Sequence, residues 1–343
     1  MPGRERDVTV MARRIGITTT VPVEIILAAG AVPVDLNNLF IASDDRDRFV
    51  SRAERDGYPR NVCAWIKGMY GVIAAGADID TVVAVTQGDC SNTHALMETL
   101  TLLGITTIPF AYPLDRDPAM LEREMVRLAS CLGTTLAEAD TVRRGLEPTR
   151  RLLDLLDRLT WDNGVVSGAE NHLWLVSSSD FNGDAERFAG QLSVFCDRAT
   201  ERAPFQHGIR LAYIGVPPIL DDLYDTVEEF GAGVVFNEVQ RQFSMPARDG
   251  GIIGQYRAYT YPYGIFHRLD YIRGELKRRN VHGVLHYVQS FCHRHIEDVV
   301  VRKLLDLPVL TIEGEAPGHV DARTKIRIQA FVEMLSSSRE EEM

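Results

Sequence analysis

The sequence predicts an α/β protein of two Rossmann-like (flavodoxin-like) parallel-sheet domains, which are related by an internal duplication and joined by a helical connector. Three observations lead to this prediction. Continuous apolar segments of strand length alternate with segments of helix length, a pattern typical of parallel sheets covered on both faces. One order of elements occurs twice along the chain. The length of 343 residues suits two domains better than one core.

The first domain is assigned to residues 1–116, and its first regular segment is "RIGITTTVPVEIILAAGAVPVDLNN" (14–38). This segment predicts a strand, a loop containing Pro22, a helix that ends at Gly30, and a second strand. Glycine adopts the left-handed conformation in which helices commonly end. A further strand, "DTVVAVTQGDC", ends at Cys90 and is followed by a helix and another strand.

The same order returns in the second domain, which is assigned to residues 206–343. The segment "RLAYIGVPPILDDLYDTVEEFGAGVVFNE" (210–238) predicts a strand, a proline loop, a helix that ends at Gly231, and a strand. The segment "GVLHYVQSFC" then predicts a strand that ends at Cys292. The glycine and the cysteine are separated by nearly the same distance in both copies, and this match indicates a duplication.

Residues 117–205 are predicted to form the helical connector. Apolar residues recur three and four positions apart between 117 and 160 and again between 184 and 203, which is the period of amphipathic helices. The intervening stretch 162–184 interrupts this period. We expect the connector to pack on both domains.

Composition argues against several classes of protein. A net charge of −11 disfavours a general nucleic-acid-binding protein, whose affinity depends on neutralising phosphates. No apolar run is long enough for a membrane span, and the opening "MPGRERDVTVMARRIG" has no apolar core of a signal peptide. We therefore expect a cytoplasmic protein. Because GxGxxG is absent after the first strand and GxxxxGK(S/T) is absent throughout, neither dinucleotide binding nor ATP hydrolysis by this chain is predicted.

Three of the five cysteines occupy positions that favour a functional site. Cys90 and Cys292 lie at the carboxyl ends of matched strands, where open α/β sheets bind ligands, and Cys63 precedes a predicted helix. The partial positive charge of a helix N-terminus lowers the pKa of a thiol there, so we expect stabilised thiolates. Cys131 and Cys196 lie inside helical stretches and are interpreted as structural.

The residues alone leave three interpretations of this cysteine set open. Buried thiols often only fill a core. Three thiolates from separate segments suit a [4Fe–4S] cluster that leaves one iron open. The segment "CHRH" (292–295) adds His293 and His295 and therefore also permits zinc, although no C-x2-4-C pair supports it.

With these segments in view, the chain resembles the family of 2-hydroxyacyl-CoA dehydratase and benzoyl-CoA reductase subunits over most of its length. The segment "TTTVPVEIILAAGAVPVDL" is similar to the opening of the family. Its cysteine segments are matched by "NVCAWIKGMYG", "DTVVAVTQGDC" and "GVLHYVQSFC", and its C-terminal helix by "GHVDARTKIRIQAFVEML". The order and spacing of these segments are the basis of the resemblance.

The resemblance implies a [4Fe–4S] cluster on Cys63, Cys90 and Cys292, an acyl-CoA-like substrate, and a homodimer or a heterodimer with a related subunit. It also implies a separate ATP-hydrolysing iron–sulfur activator as electron donor. In the dehydratases of the family, one electron enters the thioester carbonyl, and the resulting ketyl radical anion expels the hydroxyl group. The chain would then be a dehydratase-type lyase or a reductase-type oxidoreductase.

Other residues are candidates for the same site. Glu24 matches a glutamate of the family and is expected to line the cleft and move protons, with a structural role at the helix start as the alternative. His94 and His295 follow Cys90 and Cys292 by about one helical turn and are expected to face the cleft. Arg327 is either a phosphate contact or a surface ion pair. The aromatic segment 256–271 is either a substrate wall or part of the core.

Two positions depart from the family pattern. Ser91 stands where an aspartate commonly follows the second cysteine, and His293 and Arg294 stand where an acid and a proline usually follow the third. These departures leave the substrate open. The alternatives are a non-catalytic or cluster-free partner subunit or scaffold, and an activator-dependent reductase of another small substrate.

Overall fold

A computed structural model describes residues 12–342 and contains two four-stranded sheets in which every strand pair is parallel. The first sheet consists of β1 (Arg14–Ile17), β2 (Val32–Asp35), β3 (Thr81–Gln87) and β4 (Thr106–Ala111). The second consists of β5 (Ile209–Gly215), β6 (Ala232–Asn237), β7 (Gly283–Gln289) and β8 (Val309–Gly314). The strand orders, β2-β1-β3-β4 and β6-β5-β7-β8, are the same, and the predicted fold class is confirmed.

Helices surround both sheets. Those of the first part of the chain are α1 (Val23–Ala28), α2 (Leu36–Ile41), α3 (Arg46–Arg55), α4 (Ala64–Ala74) and α5 (Thr93–Leu102). The middle of the chain forms α6 (Pro118–Leu132), α7 (Leu136–Trp161), α8 (Gly168–Ser177) and α9 (Ala185–Thr200). The last part forms α10 (Leu223–Glu229), α11 (Glu238–Phe243), α12 (Gly251–Ala258), α13 (Ile265–Arg278), α14 (Asp298–Leu304) and α15 (Ala322–Glu342).

Both helix-ending glycines have the predicted conformation. Gly30 follows α1 with φ 69° and Gly231 follows α10 with φ 83°, and both therefore lie in the left-handed region. Within residues 12–342, no helix is both long enough and apolar enough to cross a bilayer. The residues 1–11, which belong to the segment considered for a signal peptide, lie outside the described part of the chain.

The two halves share their hydrophobic cores. Val72 on α4 belongs to the same buried cluster as Tyr213 and Tyr287 of the second sheet. In return, Tyr256 on α12 packs in the cluster that contains Ile17 of the first sheet. Segments of each half thus complete the core of the other, and this exchange fixes the two sheets relative to one another.

Helix α7 is tied to both halves by buried ion pairs. Arg150 lies 2.5 Å from Glu24 of α1, and both side chains are almost fully buried. About two turns further along α7, Asp157 accepts hydrogen bonds from Arg279 (2.6 Å) and from Arg241 (2.9 Å), which belong to the second half. A buried pair is costly to break because the remaining charge loses its compensation, so α7 has a strongly preferred position.

The ion pair of Glu24 leads to a prediction about stability. The substitution Glu24→Gln leaves the Arg150 guanidinium buried without its counter-charge, and we expect it to lower the free energy of unfolding by about 3–5 kcal/mol. Urea unfolding followed by circular dichroism measures this loss. The matched control is Asp270→Asn, which removes an exposed pair with Arg273 and should cost at most about 0.5 kcal/mol. Equal effects of the two substitutions would contradict the prediction.

The same pair gives the wild-type protein a defined pH dependence. Burial alone would raise the pKa of Glu24, but the charge and hydrogen bond of Arg150 lower it below the ordinary value of 4.5. A group whose pKa is lower in the folded protein stabilises it above the unfolded pKa and loses this contribution as the pH falls. We expect the stability difference between wild type and Glu24→Gln to be constant above about pH 5 and to shrink below pH 4.5 in urea titrations.

Candidate functional site

Cys63, Cys90 and Cys292 line a single cavity of about 120 Å³. The cavity lies where several strands end. Its wall contains residues that follow strands of both sheets, namely Thr18 after β1, Asn37 after β2, Cys90 after β3, Val216 after β5 and Cys292 after β7. The carboxyl ends of the strands in both halves therefore meet at this cavity, which is where parallel α/β folds bind ligands.

Each of the three cysteines stands next to a helical start. Cys63 is the N-cap residue of α4, and Cys292 is the N-cap residue of a short 3-10 turn formed by His293–Glu297. Cys90 lies in the loop between β3 and α5. Cys63 is buried, whereas Cys90 and Cys292 are half-buried. The expected convergence of three thiols from three segments is therefore present in the structure.

The expected lowering of the thiol pKa values is wrong for this set. Burial raises the pKa of Cys63 to about 12 and that of Cys90 to about 11, and it also raises the pKa of Cys292. Backbone N–H groups at the helical starts act in the predicted direction, but burial outweighs them. The negative charge of Cys292 also raises the pKa of Cys63 and of Cys90, and that of Cys90 raises the pKa of Cys63, as expected for thiols that face one space.

The cavity differs from a site for a single metal ion. Across residues 12–342, no group of three or more His, Cys, Asp or Glu side chains is arranged to hold one metal ion. Thiolates that bind separate corners of a four-iron cube stand farther apart than the ligands of one ion. Cys131 on α6 is exposed and Cys196 on α9 is buried, and neither lines the cavity.

Arg294 is the buried cation beside this cavity. Its guanidinium group donates to the carbonyl oxygen of Tyr261 (2.8 Å) and approaches that of Gly88 (3.5 Å), and it lies 4.5 Å from the Tyr261 ring centroid. Gly88 immediately precedes the Cys90 loop, and Tyr261 donates to Asp89 at 3.2 Å. Arg294 thus connects the loop of Cys292 with the loop of Cys90. Its positive charge lowers the pKa of both thiols and partly offsets the effect of burial.

A larger groove of about 880 Å³ lies next to the cysteine cavity. The two spaces share part of their walls, and the shared residues are Asn38, Ile41, His172, Val176 and Pro218. The charged residues that line the groove in the described part of the chain are Arg14, Asp180, Asp184 and Asp221. The arrangement is therefore a small cavity next to a larger groove whose lining has more acidic than basic side chains.

Two buried carboxyl groups lie at the boundary of these spaces. Asp35 lines the cavity and Asp180 lines the groove, and the backbone N–H of Asp35 donates to Oδ2 of Asp180 at 2.7 Å. Burial raises the pKa of Asp35 above its ordinary value. Burial and the charge of Asp35 raise the pKa of Asp180 to about 7. Asp180 can therefore hold or release a proton near neutral pH.

The structure places the other predicted site residues away from the cavity wall. Glu24 is fully buried between Arg150, Gln255 and Tyr256 and lines neither space. His94 is exposed, with Nε2 3.1 Å from the carbonyl oxygen of Thr86. His295 is also exposed and lies 4.0 Å from Glu313. The catalytic roles of Glu24, His94 and His295 stay predictions.

The remaining candidates have defined surroundings. Arg327 is exposed and donates to the carbonyl oxygen of Thr311 at 2.7 Å. Within the aromatic segment 256–271, Tyr256 and Tyr263 are part of the hydrophobic core, and Tyr261 is both core and cavity wall. Sequence reasoning did not single out His172 as a site residue, because "ENHLW" contains no motif. It lies in the wall shared by the cavity and the groove.

The fold and the site together define a class: two-domain α/β proteins in which strand-end cysteines of both domains border one cavity. Within this class, the chain matches the family model "2-hydroxyglutaryl-CoA dehydratase, D-component" over residues 18–335. The chain belongs to this family, and the resemblance found in the sequence is confirmed. No curated protein matches the chain.

The contacts of Arg294 lead to a third prediction. The substitution Arg294→Met removes the charged donors that link the Cys292 loop to the Cys90 loop. Hydrogen–deuterium exchange of the amides in residues 88–92 should become roughly tenfold faster or more, because hydrogen bonds from charged groups contribute about 1.5–3 kcal/mol. The control is Arg302→Met, which removes a cation paired with Asp298 on the exposed side of α14. Unchanged exchange in residues 88–92 of Arg294→Met would refute the bridging role.

Proposed function

We propose that the chain is the iron–sulfur component of a 2-hydroxyacyl-CoA dehydratase-type enzyme, in which Cys63, Cys90 and Cys292 bind a [4Fe–4S] cluster. The observation that carries the proposal is that three thiols from three segments border one cavity. Only these three cysteines line it, which matches a cluster with one iron left open.

Two further observations support the fit between this cavity and such a cluster. Arg294 supplies a buried positive charge close to Cys90 and Cys292, where thiolates would accumulate negative charge. Trp65 lines the cavity, and its buried indole N–H has no hydrogen-bond partner among the described residues. A sulfide or thiolate sulfur would accept this donor, and such contacts tune the reduction potentials of clusters.

The chain binds and orients the substrate. The cluster, when bound, would supply a low-potential electron and a Lewis-acidic iron. The groove is large enough for the main body of a ligand, since typical ligand sites measure about 300–1,000 Å³. The cysteine cavity takes the reacting end. The carboxyl group of Asp180 can hold a proton in the groove, where it accepts a hydrogen bond from the backbone of Asp35 in the cavity wall.

The electron comes from a separate ATP-hydrolysing iron–sulfur activator in the cytoplasm, and the chain works as a homodimer or with a related subunit. Family membership supports an assembly of several components. Dehydration, and hence a lyase, is the reaction we favour, because the matched family is a dehydratase component. Reduction of the acyl group is the alternative outcome of the same electron transfer.

The charges in the groove favour a second candidate substrate class. Coenzyme A carries several phosphate charges. The described lining of the groove has three aspartates and one arginine, although Asp221 is paired with Arg46 and Asp180 can hold a proton. A small uncharged carbonyl compound would meet less repulsion there. The second candidate is therefore an activator-dependent enzyme of the same chemistry that acts on a small molecule without a nucleotide.

The cluster proposal is tested by metal analysis of protein purified without oxygen. We expect about four irons and four acid-labile sulfides per chain and a spectrum that changes on reduction with dithionite. Each of Cys63→Ala, Cys90→Ala and Cys292→Ala should lose the cluster because it removes one of three protein ligands.

The matched control for this experiment is Cys131→Ala, which changes an exposed cysteine outside the cavity and should keep the full iron content. Absence of iron after anaerobic reconstitution would exclude the cluster. Iron that survives in all three cavity variants would exclude this ligand set.

The two substrate classes are separated by a pair of thioesters. If the groove binds coenzyme A, 2-hydroxybutanoyl-CoA should bind at least about tenfold more tightly than the N-acetylcysteamine thioester of the same acid, because the nucleotide adds contacts. If the acidic groove repels phosphates, the uncharged thioester should bind as tightly or more tightly. Calorimetry at low and high salt measures both affinities, since repulsion weakens as salt increases.

A further inference from the structure

His172 occupies the junction between the groove and the cysteine cavity. It belongs to α8 and lines both spaces. Its ring packs against Tyr224, with 5.2 Å between the ring centroids. The ring atom Nδ1 lies 3.1 Å from Nε2 of Gln240. Nε2 of His172, on the other side of the ring, has no hydrogen-bond partner among residues 12–342.

A chain of buried polar side chains determines which ring nitrogen carries the proton. It starts at Asn237, whose Nδ2 donates to the carbonyl oxygen of Gly168 (2.9 Å) and to Oδ1 of Asn171 (2.8 Å). Both amide hydrogens of Asn237 are thereby used, and its Oδ1 must be the acceptor for Tyr224 at 2.8 Å.

The orientation of Asn171 is fixed independently. Its Nδ2 donates to the hydroxyl oxygen of Thr160 at 3.0 Å, and that hydroxyl donates to the carbonyl oxygen of Leu156. A backbone carbonyl can only accept, so Oδ1 of Asn171 faces Asn237 as an acceptor. The directions of these hydrogen bonds therefore follow from two main-chain oxygens and not from an arbitrary choice of amide orientation.

The donor and acceptor roles in this chain also determine which atom of Gln240 faces His172. Because Tyr224 donates its only proton to Asn237, its oxygen can only accept from Gln240, whose Nε2 lies 3.4 Å away. The same Nε2 therefore faces His172 and donates to Nδ1, and in this orientation the buried Oε1 of Gln240 has no hydrogen-bond partner among the described residues. An Nδ1 that accepts carries no proton, so the proton of the neutral ring is on Nε2. Burial lowers the pKa of His172 to about 4, which keeps the ring neutral at physiological pH.

We propose that His172 donates a hydrogen bond from Nε2 to the carbonyl oxygen of an acyl substrate that extends from the groove into the cysteine cavity. This inference rests on the proposed function. In a thioester, the carbonyl group lies between the large carrier and the rest of the small acyl chain. With the carrier in the groove and the acyl chain in the cavity, the carbonyl group would lie at the junction of the two spaces, beside His172. A neutral donor stabilises negative charge that develops on the oxygen without losing its own proton. Gln240 and Tyr224 are positioning residues for this contact.

Two substitutions of His172 separate contact with the substrate from a structural role. His172→Asn places an amide where Nδ1 stood, so it can still accept from Gln240, but it does not reach the position of Nε2. His172→Gln reaches that position and retains an N–H donor. Iron content and circular dichroism of both variants should equal those of the wild type, since His172 is not a proposed cluster ligand.

The measurement is the carbonyl stretching frequency of bound butanoyl-CoA, which has no hydroxyl group to expel. Infrared difference spectra with a 13C-labelled carbonyl group are recorded for the full-length protein. We expect a shift to lower frequency in the wild type, loss of part of this shift in His172→Asn, and a smaller loss in His172→Gln. The affinity of His172→Asn should be roughly 3- to 10-fold weaker, as for one lost hydrogen bond.

The results distinguish failure of this inference from failure of the proposed function. If His172→Asn binds butanoyl-CoA with the frequency and affinity of the wild type, the hydrogen bond is refuted while thioester binding stands. If the iron-loaded wild type binds neither butanoyl-CoA nor its N-acetylcysteamine analogue, the thioester function is refuted, and the inference falls with it.

Discussion

The site depends on one constraint, which is that the strands of both sheets end at the same cavity. A parallel sheet brings the loops after its strands to one edge, and the two sheets of this chain have the same strand order. Neither sheet alone can surround the cavity, because Cys90 follows a strand of the first sheet and Cys292 follows the matching strand of the second. Duplication of a cysteine-ending strand therefore supplies two of the three thiols, which share one cavity only when the two halves are held face to face, and Cys63 at the start of α4 supplies the third.

Helix α7 holds the two halves in this arrangement through buried ion pairs. Arg150 pairs with Glu24 of the first half, and Asp157 pairs with Arg279 and Arg241 of the second half. Such pairs are stable only where both partners meet with good geometry, because a single buried charge costs several kcal/mol (about 3–5). The exchange of core segments, such as Tyr256 into the first cluster and Val72 into the second, adds non-directional burial to the same arrangement. Glu24 is thus explained by its contacts with α7 without any contact with the cavity.

The sequence predicted those features that follow from local pattern. Strand periodicity, the two helix-ending glycines and the matched positions of Cys90 and Cys292 repeat within short segments, and they led to the correct fold class. The orientation of His94 was beyond such reasoning, because α5 buries Thr93, Leu96 and Leu100 and turns His94 outward. The thiol pKa values depended on burial, which no local pattern reports. His172 and Arg294 acquire their roles from Gln240 and Tyr261, partners that are distant in sequence and meet them only after folding.

Arg294 and His172 together show how one pocket can provide two different electrostatic environments. Near the thiols, a buried cation partly offsets the desolvation that raises the pKa of Cys90 and Cys292. At the junction with the groove, burial lowers the pKa of His172, and the polar chain from Asn237 to Gln240 directs the proton of the neutral ring away from Nδ1. A second cation there would bind a negatively charged ground state as well as a charged transition state, and such uniform binding does not accelerate the chemical step. A neutral donor interacts most strongly when charge develops on the substrate oxygen. Positive charge near the sulfur atoms and a neutral donor near the substrate are therefore complementary features of the reaction proposed above.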